Sequence, residues 1–326
     1  MKAAWYDATG SATDVLKVGE LPVPEPGPNE VLVRVLASGV NPHDVKKRLG
    51  KNIQMEFPRI VPHCDGAGII EKVGVGVPAS RVGQRVWLHA AQWKRPFGTA
   101  AQFIALPASL TAPLPENISF EQGATLGIPA MTAHRCVFAD GPVYGKTVLV
   151  HGGAGAVGHH AIQLARTAGA EVIATVSSPE KATLARSAGA DHVINYRQEE
   201  VAARIKELTR GAGVDRVIEV AFGQNLALNM EVLKASGTIA AYASDAARTP
   251  TLPFYPMMYA SLTVRTVLVF NIPEAAVQQA ISDINALLAR GLLSSHISAR
   301  FPLEQIARAH EAVEAGPLGK VVVGLE

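Results

Sequence analysis

The residues best equipped for chemistry in this 326-residue chain lie between positions 148 and 158. There Val148-Leu149-Val150 runs into His151-Gly152-Gly153-Ala154-Gly155-Ala156-Val157-Gly158, and Gly153, Gly155 and Gly158 keep the spacing G-x-G-x-x-G. With an apolar strand before these glycines and a helical run after them, the string reads as an anion cradle. One glycine permits a tight turn, the next admits a pyrophosphate against the backbone, and the third lets helix and strand pack closely. The helix N-terminus adds unpaired N–H groups and a partial positive charge. Gly153, Ala154, Gly155, Ala156, Val157 and Gly158 are therefore the candidate phosphate-binding residues of a dinucleotide site.

The end of the next strand decides which dinucleotide fits. An NAD site ends that strand with a carboxylate that accepts from the ribose hydroxyls. Here it ends Thr175-Val176-Ser177-Ser178-Pro179-Glu180-Lys181, with a hydroxyl first and a lysine one turn later. Ser177 and Lys181 suit a 2′-phosphate, so NADPH is the expected cofactor, the other reading of Lys181 being a solvated surface lysine. Ser178 before Pro179 reads instead as a helix N-cap. Glu180 must point away from a bound phosphate. After the third strand, Tyr196 either stacks on adenine or donates to the 2′-phosphate, or is a half-buried strand-end aromatic.

These residues need a scaffold, and the pattern from 145 to 245 supplies one. Strands are expected over 147–151, 171–176, 192–195, 215–221 and 238–243, alternating with helices over 156–168, 179–188, 199–209 and 225–233. Such alternation implies βαβ units and a doubly wound parallel sheet, an α/β Rossmann fold. Before residue 125 the pattern is short Val-rich runs broken by Gly, Pro and Asn, which reads as mostly β. A long apolar strand is expected over 262–270, then helices over 274–288 and 303–313.

Bulk properties narrow the function classes. Hydrophobic residues at 48% and charged residues at 18% describe a globular chain long enough for two domains. A formal charge of +2 gives no footprint for nucleic acid or membrane. The short basic run Lys46, Lys47, Arg48 and Lys51 reads as a solvated helix face. Only Cys64 and Cys136 occur, which excludes a disulfide framework. With no signal-peptide pattern and no membrane-length apolar run, the cytoplasm is the expected compartment.

The chain resembles the zinc-independent medium-chain dehydrogenase/reductases of the quinone oxidoreductase, zeta-crystallin-like group. The resemblance spans nearly the whole length. It rests on Gly39-Val40-Asn41-Pro42-His43-Asp44, Asp65-Gly66-Ala67-Gly68, Gly127-Ile128-Pro129-Ala130-Met131-Thr132-Ala133, the glycine turn, Ala188-Gly189-Ala190, Asn195-Tyr196-Arg197 and Gly319-Lys320-Val321-Val322. It implies a GroES-like, mostly-β catalytic domain of residues 1–125 and 266–326 around a Rossmann domain of residues 126–265. By the same resemblance Asn41, Thr132, Gly155 to Val157, Ser177, Lys181, Tyr196, Tyr242, Ser244, Phe270 and Asn271 fall at cofactor-contact positions. The resemblance also implies a homodimer, in which the apolar strand near 264–269 pairs with its copy. The residues Phe254, Tyr255, Met257, Met258 and Tyr259 then read as an interface, or else as a pocket wall alongside Trp93 and Phe97.

No metal is expected. Where zinc relatives place Cys, His and Cys, this chain has Asn41, Cys64 and Ile128, and one soft ligand cannot build a site that needs three. Without a Lewis acid, an already electrophilic acceptor such as a quinone or enone is favoured. Asn41 and Thr132 are candidate hydrogen-bond donors, and Asp44 a candidate orienting group. Lys46 stands where the family often has tyrosine, and reads either as an electrostatic donor or as a solvent-facing side chain. Two other readings stay open: an enoyl-thioester reductase of the same superfamily, and a non-enzymatic crystallin-like or RNA-binding role.

Overall fold

The computed structural model describes residues 1–51 and 54–325. Its strands are β1 (Lys2–Trp5), β2 (Lys17–Glu20), β3 (Glu30–Val40), β4 (Asp65–Val73), β5 (Arg85–Leu88), β6 (Phe103–Pro107) and β7 (Thr111–Pro113). They continue with β8 (Thr147–Val150), β9 (Glu171–Val176), β10 (His192–Asn195), β11 (Val214–Glu219), β12 (Leu233–Ala241), β13 (Thr263–Thr266), β14 (Ile297–Pro302) and β15 (Lys320–Gly324). Two compact units result, Met1–Pro129 with Ile281–Glu326, and Ala130–Ala280. The chain returns to the first unit within the helix Glu274–Ala289.

The first unit is built on a seven-stranded sheet in the order β14-β15-β3-β4-β5-β7, with β6 also on β3. Its core gathers Val31, Val33, Val35, Leu88, Ile104, Leu106, Val321 and Val323, all buried. The late segment is stitched to the early one by polar bonds as well. Trp87, fully buried, donates Nε1–H to Asn285 at 3.0 Å. Antiparallel pairing of β15 with β3 places Val321 opposite Val40, so Lys320 enters the sheet beside the end of β3.

The second unit is a six-stranded, all-parallel sheet in the order β10-β9-β8-β11-β12-β13. That is the dinucleotide-binding order, with its switch point beside β8. Val148, Leu149 and Val150 are completely buried, as expected of a parallel strand covered on both faces.

Two expectations need correction. The apolar run 262–270 is not one long strand: β13 ends at Thr266, and a 3-10 turn covers Val269–Asn271. Its partner β12 stops at Ala241, which leaves Val267 N–H the last to find an acceptor there, Ala241 O at 2.8 Å. Apolar content alone could not show where pairing ends. Nor is the basic run after residue 45 a solvated face, because Lys47 and Arg48 are buried. Lys47 pairs with Glu56 at 2.9 Å, and Arg48 pairs with Glu314 and donates to Gly10 O. These partners make the burial tolerable, and Glu314 lies 266 residues from Arg48, where a local reading of charge does not see it.

Candidate functional site

In the first unit, Asn41 ends β3 and caps the helix Pro42–Arg48. A reciprocal capping box fixes the turn, with the Asn41 backbone N–H donating to Asp44 Oδ2 at 2.8 Å. Asp44 thus orients the Asn41 turn directly. Its second oxygen is buried and has no hydrogen-bond partner among the described residues. Burial, and then the charge of Asp65, push the Asp44 carboxyl up to about 7.

The Asn41 side chain sits in a second network. Its Nδ2 donates to Asp65 Oδ2 at 2.9 Å, and Lys320 Nζ donates to its Oδ1. Lys320 also pairs with Asp65 Oδ2 at 3.0 Å, while Asp65 Oδ1 accepts from the Ile128 N–H at 2.8 Å. Asp65 and Lys320 are almost fully buried, so the pair must satisfy itself internally. Asp65 and Lys320 figured in the sequence only as members of matching motifs, and nothing local pointed to their meeting at Asn41. Lys46 lies half-buried on the same helix. His43, two residues after Asn41, is pushed down to about 4 by burial and by Lys47 and Lys46.

The donors here do not fit zinc. Cys64 is the one soft ligand at these positions, and burial holds its thiol well above the usual range. Asp65 is fully engaged by the ammonium, the amide and the backbone. Among the described residues no group of three or more His, Cys, Asp or Glu is placed to hold a metal ion.

In the second unit, the glycine turn joins β8 to the helix Ala156–Thr167, whose N-cap is Gly155. The residue with left-handed backbone is Gly152, at φ +68°, one position before the spaced glycines. The tight-turn role therefore falls to Gly152, and the doublet Gly152-Gly153 was the signal that could have shown it. A Cβ on Gly158 would lie 2.3 Å from Gly152 O, which makes glycine obligatory where helix meets turn. Ala154 is buried, and Gly155 is exposed.

Buried polar groups support the turn from below. His151 Nε2 lies 2.9 Å from Asn229 Oδ1, and an amide oxygen only accepts, so Nε2 carries the hydrogen. Asn229 Nδ2 donates to Glu219 at 2.6 Å, and His151 Nδ1 meets Thr175 Oγ1 at 3.0 Å. A cavity of about 420 Å³ opens here, lined by His151, Gly152, Thr175, Tyr196, Ala221 and Asn225 among others. Tyr196 is 51% exposed just past the end of β10, a position open both to the adenine reading and to that of a half-buried strand-end aromatic.

At the end of β9, Ser178 caps the next helix, its hydroxyl accepting from Lys181 N–H. Lys181 Nζ reaches back to Ser177 Oγ at 3.1 Å, so the two candidate phosphate groups are already together. The exposed Glu180 carboxylate is held by the Ser178 hydroxyl, which keeps it below the usual range. A second cavity, of about 540 Å³, is lined by Arg135, Phe222, Tyr242, Ser244, Val267 and Asn271 among others. Ser244 is already engaged, accepting from Gly223 N–H at 2.9 Å and donating to Ala247 O at 2.5 Å. Phe270 and Asn271 lie on the 3-10 turn after β13, and Thr132 is buried on the helix Gly127–Phe138.

A GroES-like β unit and a parallel dinucleotide-binding unit define the class of alcohol dehydrogenase-like reductases. The family model described as alcohol dehydrogenase GroES-like domain matches residues 27–116, and that described as zinc-binding dehydrogenase matches residues 156–286. The quinone oxidoreductase of Rattus norvegicus is 33% identical over 316 residues, 95% of this chain and 94% of its own. The chain belongs to the quinone oxidoreductase family. Among solved structures, a mycobacterial protein complexed with NADPH superposes with a TM-score of 0.88 at 32% identity, covering 99% of this chain and 100% of its own. An NAD-dependent alcohol dehydrogenase superposes at 0.89 with 29% identity, covering all of both chains.

Proposed function

We propose that this chain is an NADPH-dependent oxidoreductase that passes a hydride to a quinone or a related conjugated carbonyl, an enone or alkenal, without zinc. The observation that carries the cofactor choice is the Lys181–Ser177 pair at the end of β9, where no carboxylate stands. NAD and NADP differ there by the 2′-phosphate, so this strand end outweighs overall likeness to relatives using either.

NADPH, when bound, supplies the hydride, and the protein's part is binding, orientation and electrostatics. Gly153 to Gly158 cradle the pyrophosphate, with Ser177 and Lys181 on the 2′-phosphate. Tyr196 borders the adenosine end, and Tyr242, Ser244, Phe270 and Asn271 border the nicotinamide end. Asn41 and Thr132 donate hydrogen bonds to cofactor or acceptor, Asp44 positions Asn41, and Lys46 adds positive charge nearby. A quinone or enone needs no Lewis acid, because its conjugation spreads the incoming charge; the names of the relatives agree with that acceptor class.

A homodimer fits the exposed side of the second unit. β13 is a sheet edge, and Phe254, Tyr255, Met258 and Tyr259 beside it are 47–79% exposed. An uncovered edge with such neighbours invites pairing. Among the described residues, no helix is long and apolar enough to cross a membrane.

Fluorescence titration with NADPH and NADH, followed by oxidation assays on quinones, alkenals and enoyl thioesters, tests the reading. Preference for NADPH and turnover of quinones or enones are expected. Equal affinity for both cofactors would remove the role of Ser177 and Lys181. Tight NADPH binding with no turnover on any acceptor would remove the enzyme.

A further inference from the structure

We propose that the first unit holds a second small-molecule site, for an apolar monocarboxylate whose charged end pairs with Arg95. A cavity of about 470 Å³ lies wholly within that unit. Leu21, Val23, Val61, Phe97, Phe103 and Ile104 give it apolar walls, and Arg95, Arg59 and Glu30 bring charge to it. An apolar cavity of this size with a few placed polar groups is the usual make-up of a ligand site. None of these residues belongs to the cofactor cradle or to the Asn41 cluster.

The other charges at the cavity are answered. Arg59 pairs with Asp7 at 2.8 Å, the Met1 ammonium pairs with Glu20 at 3.1 Å, and Glu30 accepts from the Gly27 N–H at 3.0 Å. Arg95 forms no ion pair among the described residues. Its Nη2 donates to Ala105 O, while its Nη1 is buried with no hydrogen-bond partner. A guanidinium keeps its charge at neutral pH, so this one stands in an apolar wall with no counterion beside it. Burial pulls it below its usual value, and Glu30 opposes that from beyond ion-pair distance. The loop holds this arginine in place. Lys94 before it takes a left-handed backbone, at φ +54°, and the buried Gln92 donates from Nε2 to Arg95 O at 2.7 Å. A buried polar group left open in this way calls for an anionic partner. A carboxylate matches the guanidinium fork with a single charge. A phosphate dianion would bring a second charge against the apolar walls and the Glu30 carboxylate.

Calorimetric titration of the full chain with 2-naphthoate, and with its neutral methyl ester, tests the site. Naphthoate is expected to bind equally well with and without saturating NADPH, and at least about tenfold more tightly than the ester. Arg95→Met should weaken naphthoate about ten- to a hundredfold, the range for a hydrogen bond to a charged group, and leave the ester unchanged. That change also frees Ala105 O and can loosen the sheet, so Val23→Trp provides a second variant. Val23 is 46% exposed, and a larger side chain there fills the cavity while leaving Arg95 intact. Both ligands should then be lost. The proposal is overturned if wild type takes up no naphthoate at millimolar concentration or binds the ester as tightly. It is overturned equally if NADPH displaces naphthoate, or if folded Arg95→Met or Val23→Trp retains wild-type affinity.

Discussion

The two candidate clusters, one in each unit, are built by opposite means. The cradle in the second unit is local: Gly152 to Gly158 and Ser177 to Lys181 are short stretches whose backbone and caps do the work. The cluster in the first unit is assembled from Asn41, Asp65, Ile128 and Lys320, with charge buried at its centre. Local construction tolerates change at exposed positions and fails at close contacts. Assembled construction concentrates stability and function in the same few groups, because removing one partner leaves another buried and charged.

The largest expected effect follows from that contrast. Asp65→Ala leaves the Lys320 ammonium buried without its carboxylate, and should lower unfolding free energy by about 3–5 kcal/mol in urea titrations. A loss under about 1 kcal/mol would mean that the cluster is no more tightly built than the cradle. Next in size, Lys181→Ala should weaken NADPH binding by about 1.5–3 kcal/mol while NADH binding barely changes. Equal loss for both cofactors would make Lys181 part of the scaffold.

Acid should strike the first unit. Burial pushes His310 down to about 3 and holds His63 well below its ordinary value, with His63 Nε2 facing His310 Nε2 at 2.9 Å. Each is neutral when folded but takes up a proton when unfolded, so stability falls as pH drops below about 6.5. Each contributes about 1.4 kcal/mol per pH unit across that window. Asp44 works with the opposite sign: its raised value adds stability that is full below about 4 and is lost as pH rises through about 7. Thermal melts of wild type and His310→Gln from pH 7 to 4 should show a shallower acid decline in the variant, and parallel declines would contradict it. The smallest effect is expected at Gly155, where a Cβ meets only Gly152 O at 3.3 Å and φ is −75°. Gly155→Ala should change stability by no more than about 0.5 kcal/mol while weakening cofactor binding, whereas Gly158→Ala should damage the fold itself.

Legibility in the sequence followed the same divide. The βαβ pattern, the glycine spacing, the Ser178 cap and the Ser177–Lys181 pair are all set within a turn or two of chain, and local patterns expose them. Even there the left-handed residue, Gly152, lay just outside the spaced motif. Arg48 is not legible as buried because its partner Glu314 lies beyond any local window, and Lys47 because nothing local shows that Glu56, nine residues on, folds back to it. For the same reason Lys320 and Asp65 were visible as motif residues but not as neighbours of Asn41. Where β13 stops depended on where its partner β12 stops, which is a property of the sheet.

The most direct test of the whole account is turnover by metal-depleted protein. After chelation and elemental analysis, NADPH oxidation would be followed with a naphthoquinone as acceptor and compared with NADH. Undiminished turnover without zinc and a clear preference for NADPH are expected. Activity that tracks zinc content, or no oxidation by any quinone or enone despite NADPH binding, would contradict it.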